Sequence, residues 1–98
     1  MPEITINDAN QRRAEDHILD VREDFEVTEG IIPGALHIPM GELDGRLAEL
    51  DKSRPVIVVC RSGNRSARVA DALTAAGYNA DTMGGGMSAW QRAGLPTG

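Results

Sequence analysis

The chain's one cysteine, Cys60, stands where the β-branched run Val56 to Val59 stops, and Arg61-Ser62-Gly63-Asn64-Arg65-Ser66 follows at once. A thiol acts as a nucleophile or sulfur ligand only as the thiolate, so the question is what in this stretch favours the ionised form. Gly63 and Asn64 are the residue types that most readily take positive φ, which lets the chain curl with successive N–H groups pointing inward as an anion-binding nest. A helix beginning near Arg65 adds its unpaired first-turn N–H groups and the positive end of its dipole. Such surroundings lower a cysteine pKa from about 8.5 into the range of roughly 3.5 to 7.5. A lone cysteine after an apolar strand is ordinarily a buried packing residue. The residues after Cys60 argue otherwise, because a purely structural turn has no need of Gly, Asn and several arginines set against one thiol.

The charge distribution singles out the same region. The net charge is -5, yet Lys52, Arg54, Arg61, Arg65 and Arg68, five of the ten basic residues, lie between Lys52 and Ala70 with none of the fifteen acidic ones. Lys52 and Arg54 read as solvated loop charges; Arg61, Arg65 and Arg68 crowd the turn after Cys60 and are the better candidates for holding an anion. An acidic protein with one small basic island is not expected to bind nucleic acid or an anionic membrane. One cysteine and two histidines form no zinc-ligand spacing and no internal disulfide, so no metal is expected and a reducing compartment is the natural setting. The start MPEITINDANQ lacks a signal-peptide pattern, and no later segment approaches a membrane span. The expectation is a soluble, cytoplasmic, monomeric protein, residues 1–98 forming a single domain.

The elements that must position the cysteine follow from periodicity. Ile4 to Ile6 reads as a weak first strand, Asn7 or Asp8 as the N-cap of a short helix carrying Arg12 and Arg13, and His17 to Val21 as a second strand. IIPGALHIP, with two prolines and a glycine, leaves room for only a very short strand around Leu36 to Ile38. Leu43, Leu47 and Leu50 recur at helical spacing despite Gly45. Val56 to Val59 has no polar alternation, as expected of a central parallel strand covered on both faces. Val69, Leu73 and Ala76 mark a helix from Arg65 to Ala76, with Gly77 as its stop. Ala80 to Met83 is a last strand, GGG a tight turn packing beside the cysteine loop, and MSAWQRAG a short terminal helix. Strand and helix alternating over short connections imply an α/β domain: a central, mostly parallel sheet with helices on both faces. In such sheets ligands gather beyond the carboxyl ends of the strands, where Cys60 stands.

CRSGNRSA, taken with LDVRE, IPGALHIP and GGMSAWQRAGLP, resembles the single-domain rhodanese family of sulfurtransferases from about Ile18 to Pro96. The resemblance implies a small α/β domain whose active loop starts at the cysteine and wraps its sulfur. It further implies a thiosulfate sulfurtransferase in which Cys60 carries sulfane sulfur as a covalent persulfide, with no other cofactor. The donor is a small molecule such as thiosulfate, and the acceptor is cyanide, a thiol, or a thioredoxin-like or sulfur-relay protein. Arg61 and Arg65 are then expected to recognise the donor, with Ser62, Gly63, Asn64 and Ser66 acting through backbone and loop geometry. Asp20 and Arg22 match the family's Asp-x-Arg element, which by resemblance lies near the loop; on spacing alone they are an ordinary strand-end pair. Ile31, where many relatives have histidine, and Met83-Gly84, where an acidic residue often sits, depart from the pattern and bear on the acceptor.

Other readings rest on narrower features. A cysteine-dependent phosphatase or arsenate reductase places five residues between its cysteine and arginine, whereas Cys60 and Arg65 enclose four and Ser66 stands where that arginine is needed. The loop is therefore tighter than a tetrahedral phosphoryl group requires. A persulfide carrier or partner-binding module on the same fold is a third reading, since fold alone does not assign function. Gly84-Gly85-Gly86 with Ala89 loosely matches a dinucleotide fingerprint but leaves no room for the acidic residue about twenty positions on. His17, His37, Met87 and Trp90 read as structural.

Overall fold

The computed structural model describes residues 3–98. The elements run β1 (Glu3–Ile4), α1 (Ile6–Arg12), β2 (His17–Asp20), α2 (Asp24–Val27), β3 (Leu36–His37), a 3-10 segment (Met40–Glu49), β4 (Val56–Val59), α3 (Asn64–Ala75), β5 (Ala80–Met83) and α4 (Gly86–Arg92). The strands form one sheet in the order β1-β5-β4-β2-β3, and every pairing is parallel. β4 is the middle strand, and all four of its residues are buried, as its unbroken apolar run requires.

Side chains alternate across a strand, and that alternation sorts the core into two layers. Val56 and Val58 face one side, where they pack with Leu19, Val21 and Ala80, with Val69, Ala70 and Leu73 of α3, and with Leu43 of the 3-10 segment. Ile57 and Val59 face the other, with Ile18 and Met83, Ala9 of α1, and Met87 and Trp90 of α4. Each fully buried Val or Ile is worth about 1.5 to 3 kcal/mol relative to exposure, so β4 with its two covering layers dominates the stability of the sheet. Trp90, completely buried, spends its indole N–H on the Pro96 carbonyl at 2.8 Å. No helix among the described residues is long and apolar enough to cross a membrane.

Several boundaries differ from the sequence expectations for local reasons. The first helix begins earlier, because Thr5 rather than Asn7 or Asp8 is its N-cap: the Thr5 hydroxyl accepts the Asp8 N–H at 3.0 Å, and the first strand shortens to Glu3–Ile4. Met40–Glu49 winds as a 3-10 segment instead of an α-helix. Gly41 and Gly45 weaken the α form, and a tighter helix still carries Leu43 inward while Arg46 bridges Glu42 and Glu49 at 3.1 and 2.7 Å outside. α3 starts at Asn64, one residue before Arg65. The one-turn helix α2 has no counterpart in the sequence reading.

Candidate active site

The parallel sheet has a point where successive connections depart in opposite directions. β2 leads outward to β3, whereas β4, on the other flank of β2, leads to β5. A crevice at the carboxyl ends of two such strands is where open α/β sheets bind ligands. Asp20 ends β2 opposite Val59, which ends β4, so Cys60 and the Asp20–Arg22 segment stand side by side at that crevice.

The face alternation that sends Val56 and Val58 towards α3 also sends Cys60 there, and its side chain is only 1% exposed. The chain then turns back on itself. Gly63 takes φ +108°, and among the described residues no other residue type has positive φ, so Asn64 enters α3 with ordinary helical geometry and Gly63 alone supplies the curl. The turn aims the Gly63 N–H at Cys60 Sγ, 3.0 Å away, while the thiol donates to Ser66 Oγ at 3.4 Å. Burial pushes the Cys60 pKa up, but the hydrogen bonds that the ionised sulfur accepts, from the Ser66 hydroxyl turned towards it and from the backbone N–H groups of Ser66, Gly63 and Ser62, outweigh it and hold the thiol below its ordinary value. Of the predicted loop, Gly63 and Ser66 thus meet the sulfur directly and Ser62 through its amide.

The loop is braced from two sides. α4 turns its first free N–H groups onto it: Met87 N–H donates to the Cys60 carbonyl at 2.8 Å and Ser88 N–H to the Arg61 carbonyl at 3.0 Å. This approach needs glycine at 86, where φ is +58° and an added Cβ would lie 2.5 Å from the Cys60 and Arg61 carbonyl oxygens. The triple glycine is therefore a packing device beside the cysteine loop, and Met87 is buried in the core, as a structural residue should be.

On the opposite side stands α2. Both terminal nitrogens of Arg65 donate to the Glu26 carboxylate, at 2.7 and 2.8 Å. The Arg65 hydrogen bonds hold the buried Glu26 carboxyl at a pKa of about 2 against the opposing effect of burial, helped by the Glu23 N–H and by the charges of Arg65 and Arg22. α2 itself hangs on Arg22, whose guanidinium donates to the Glu26 carbonyl at 3.2 Å, to the Gly30 carbonyl at 2.8 Å and to Asp20 Oδ2 at 2.8 Å. Asp20 and Arg22 are both buried, and among the described residues their side-chain hydrogen bonds reach the loop only through this relay.

Arg61 and Arg68 are exposed. Arg65, expected to face a donor, gives one N–H from each terminal nitrogen to Glu26, and its charge is the one that acts on Cys60; Arg61, the residue after Cys60, and Arg68 form no salt bridge among the described residues. His37 Nε2 lies 2.7 Å from the Arg22 carbonyl, and His17 opens β2 at the far end from the site. Sequence reasoning missed Glu26 and Thr82, whose hydroxyl lies 2.6 Å from Ser66 Oγ. Glu23 and Glu26 at capping-box spacing were the available signal for the first; the second was visible only once the strand register was known.

The chain is similar to known proteins over nearly its whole length. Residues 5–93 match the family described as the Rhodanese-like domain. The chain is 38% identical over 98 residues to a sulfurtransferase of Allochromatium vinosum, covering 96% of this chain and 92% of that one. It is 44% identical over 75 residues to a putative sulfurtransferase of Bacillus subtilis, covering 76% and 73% of the two chains. A rhodanese-related protein from Thermoplasma volcanium superposes with a TM-score of 0.95 at 32% identity, covering 100% of this chain and 98% of the other. A cysteine ringed by amides at the switch point of a parallel five-stranded sheet, matched from Thr5 to Ala93, makes this chain a member of the rhodanese-like sulfurtransferase family.

Proposed function

We propose that the protein is a sulfurtransferase that takes sulfane sulfur from thiosulfate or a similar small donor onto Cys60 and passes it to a thiophilic acceptor. The observation that carries this reading is the Gly63 N–H at 3.0 Å from a buried Sγ in a turn of inward-facing amides. The Cys60 thiolate attacks the outer sulfur of thiosulfate, the donor's S–S bond breaks, and sulfite leaves with the bonding pair. The new terminal sulfur carries the negative charge and sits within reach of N–H dipoles fixed in advance, so little reorganisation accompanies the step. Cyanide or a thiolate then takes that sulfur and the Cys60 thiolate returns. Arg61 meets the anionic donor, while Arg65, held by Glu26, keeps the first turn of α3 in place.

Intact-mass measurement after thiosulfate treatment tests the scheme. Wild type is expected to gain the mass of one sulfur atom, to lose it on adding cyanide, and Cys60→Ser to gain nothing. Sulfur gained but released only to a protein acceptor would favour a persulfide carrier. Absence of any gain together with turnover of an aryl phosphate would favour phosphatase chemistry and overturn the proposal.

A further inference from the structure

Cys60 is not the last group in its hydrogen-bond chain. Ser66 Oγ, itself fully buried, contacts three neighbours: Cys60 Sγ at 3.4 Å, the Gly63 carbonyl at 3.1 Å and Thr82 Oγ1 at 2.6 Å. A serine hydroxyl has one proton and two lone pairs, which fixes the roles. With the thiol protonated, Ser66 accepts from Sγ–H, donates to the Gly63 carbonyl, and has one lone pair left for Thr82 to donate into. The Thr82 hydroxyl, 1% exposed on β5, has Ser66 as its one hydrogen-bond partner among the described residues. Were Thr82 the acceptor, its own proton would be buried without a partner and Ser66 would have none for Gly63.

When the sulfur ionises, the Ser66 lone pair that accepted Sγ–H would face an anion. The hydroxyl must rotate its proton from the Gly63 carbonyl onto sulfur, and it can do so while Thr82 continues to donate into its oxygen. From this geometry we infer that Thr82 is a positioning residue for the nucleophile: it orients and polarises the Ser66 hydroxyl so that this hydroxyl donates to the Cys60 thiolate. The inference rests on reading Cys60 as the nucleophile, and sulfur loading by wild type tests that reading separately.

The charged groups around the sulfur are Arg61 on the loop, Arg65 and Arg68 on α3, Glu23 and Glu26 on α2, and the Asp20–Arg22 pair at the end of β2. β5 adds none on this face, because Asp81 pairs with Arg12 at 3.2 Å on the other. The substitutions below leave every one of these charges in place, so their field cancels in the comparison.

The experiment is titration of the thiolate by its ultraviolet absorbance in wild type, Thr82→Val, Thr82→Ser, Ser66→Ala and the double variant Thr82→Val with Ser66→Ala. Thr82→Val is expected to raise the Cys60 pKa by about half to one unit, a roughly three- to tenfold loss of thiolate at pH values below both pKa values. Thr82→Ser is expected to restore the wild-type titration, and Thr82→Val to add nothing where Ser66 is already Ala. An unchanged titration in Thr82→Val, or an equal rise in the Ser66→Ala background, overturns the inference. Thr82→Ala, smaller and equally without a hydroxyl, gives the same reading if Val disturbs the packing against Val58, and thermal unfolding of each variant shows that the folded protein was titrated.

Discussion

Glu26→Gln isolates the brace between α2 and the cysteine loop, and its effect can be worked out from one titration. The Glu26 carboxyl falls from 4.5 to about 2 because two short hydrogen bonds from Arg65 favour the ionised form. At roughly 1.4 kcal/mol per pKa unit this drop corresponds to about 3 kcal/mol, and solvent around the part-exposed Arg65 screens it to about 2 to 3 kcal/mol. A depressed carboxyl pKa stabilises the fold fully above its unfolded value of 4.5, and the stabilisation is lost as pH falls through about 2. Glutamine does not titrate, so the gap between wild type and variant must itself depend on pH. Linkage gives about 2 to 3 kcal/mol at pH 7, shrinking to about 1 kcal/mol at pH 3. For a domain of this size the pH 7 gap lowers Tm by roughly 10 to 20 °C. Urea unfolding of both proteins at the two pH values measures the gap. A gap of equal size at pH 7 and pH 3 would refute the reasoning, because it would mean that the carboxylate's charge contributes nothing and only its shape matters.

The proposed function gives the two loop arginines different roles. Arg61→Ala is expected to raise KM for thiosulfate several-fold, with a weaker effect at high salt and little effect on an uncharged persulfide donor, whereas Arg65→Ala should lower turnover with both donors alike and lower Tm; steady-state kinetics with the two donors decide. Gly86→Ala is expected to destabilise by roughly 2 to 4 kcal/mol, since the left-handed backbone and the clash with the Cys60 and Arg61 carbonyls leave no cheap relaxation. Gly84→Ala, whose added Cβ would meet only the movable Glu3 side chain, should cost under about 1 kcal/mol in the same denaturation assay.

Legibility in the sequence tracked how local each determinant is. Val56–Val59 and the Val69, Leu73 pattern carry their own periodicity, so the middle strand and the helix behind the cysteine were readable, as was Gly63 in the turn. α2 was not, because four residues, Asp24–Val27, are too few to show a period, and they are held by Arg22 and by the Glu23 N–H on Glu26 at 3.0 Å. The partner of Arg65 was hidden for the same reason: Glu26 lies thirty-nine positions away, and only the neighbouring ends of β2 and β4 bring the two together. Net charge hid it further. A run of basic residues without acids in sequence reads as an unpaired patch, although the fold supplies a carboxylate from elsewhere. Thr82 needed one more step, the register that sets it beside Val58 and on the face of Ser66.

Burial and a lowered pKa oppose each other at most cysteines, yet at Cys60 they occur together. An apolar pocket would raise the thiol pKa and silence it. At Cys60 the water that burial removes is replaced by the Gly63 N–H, the amides of Ser62 and Ser66 and the Ser66 hydroxyl, and the net shift is downward. Donors fixed in a dry site act more strongly than the water they displace and do not have to reorient as charge moves. That advantage lasts only while the loop holds its shape. α4 fixes its start through the Cys60 and Arg61 carbonyls, α2 holds its end through Arg65, and both braces begin outside the loop in elements whose described residues make no hydrogen bond to Cys60 Sγ. The fold beyond the eight residues CRSGNRSA is therefore part of what sets the Cys60 titration, and a peptide of that loop alone is expected to titrate as an ordinary cysteine.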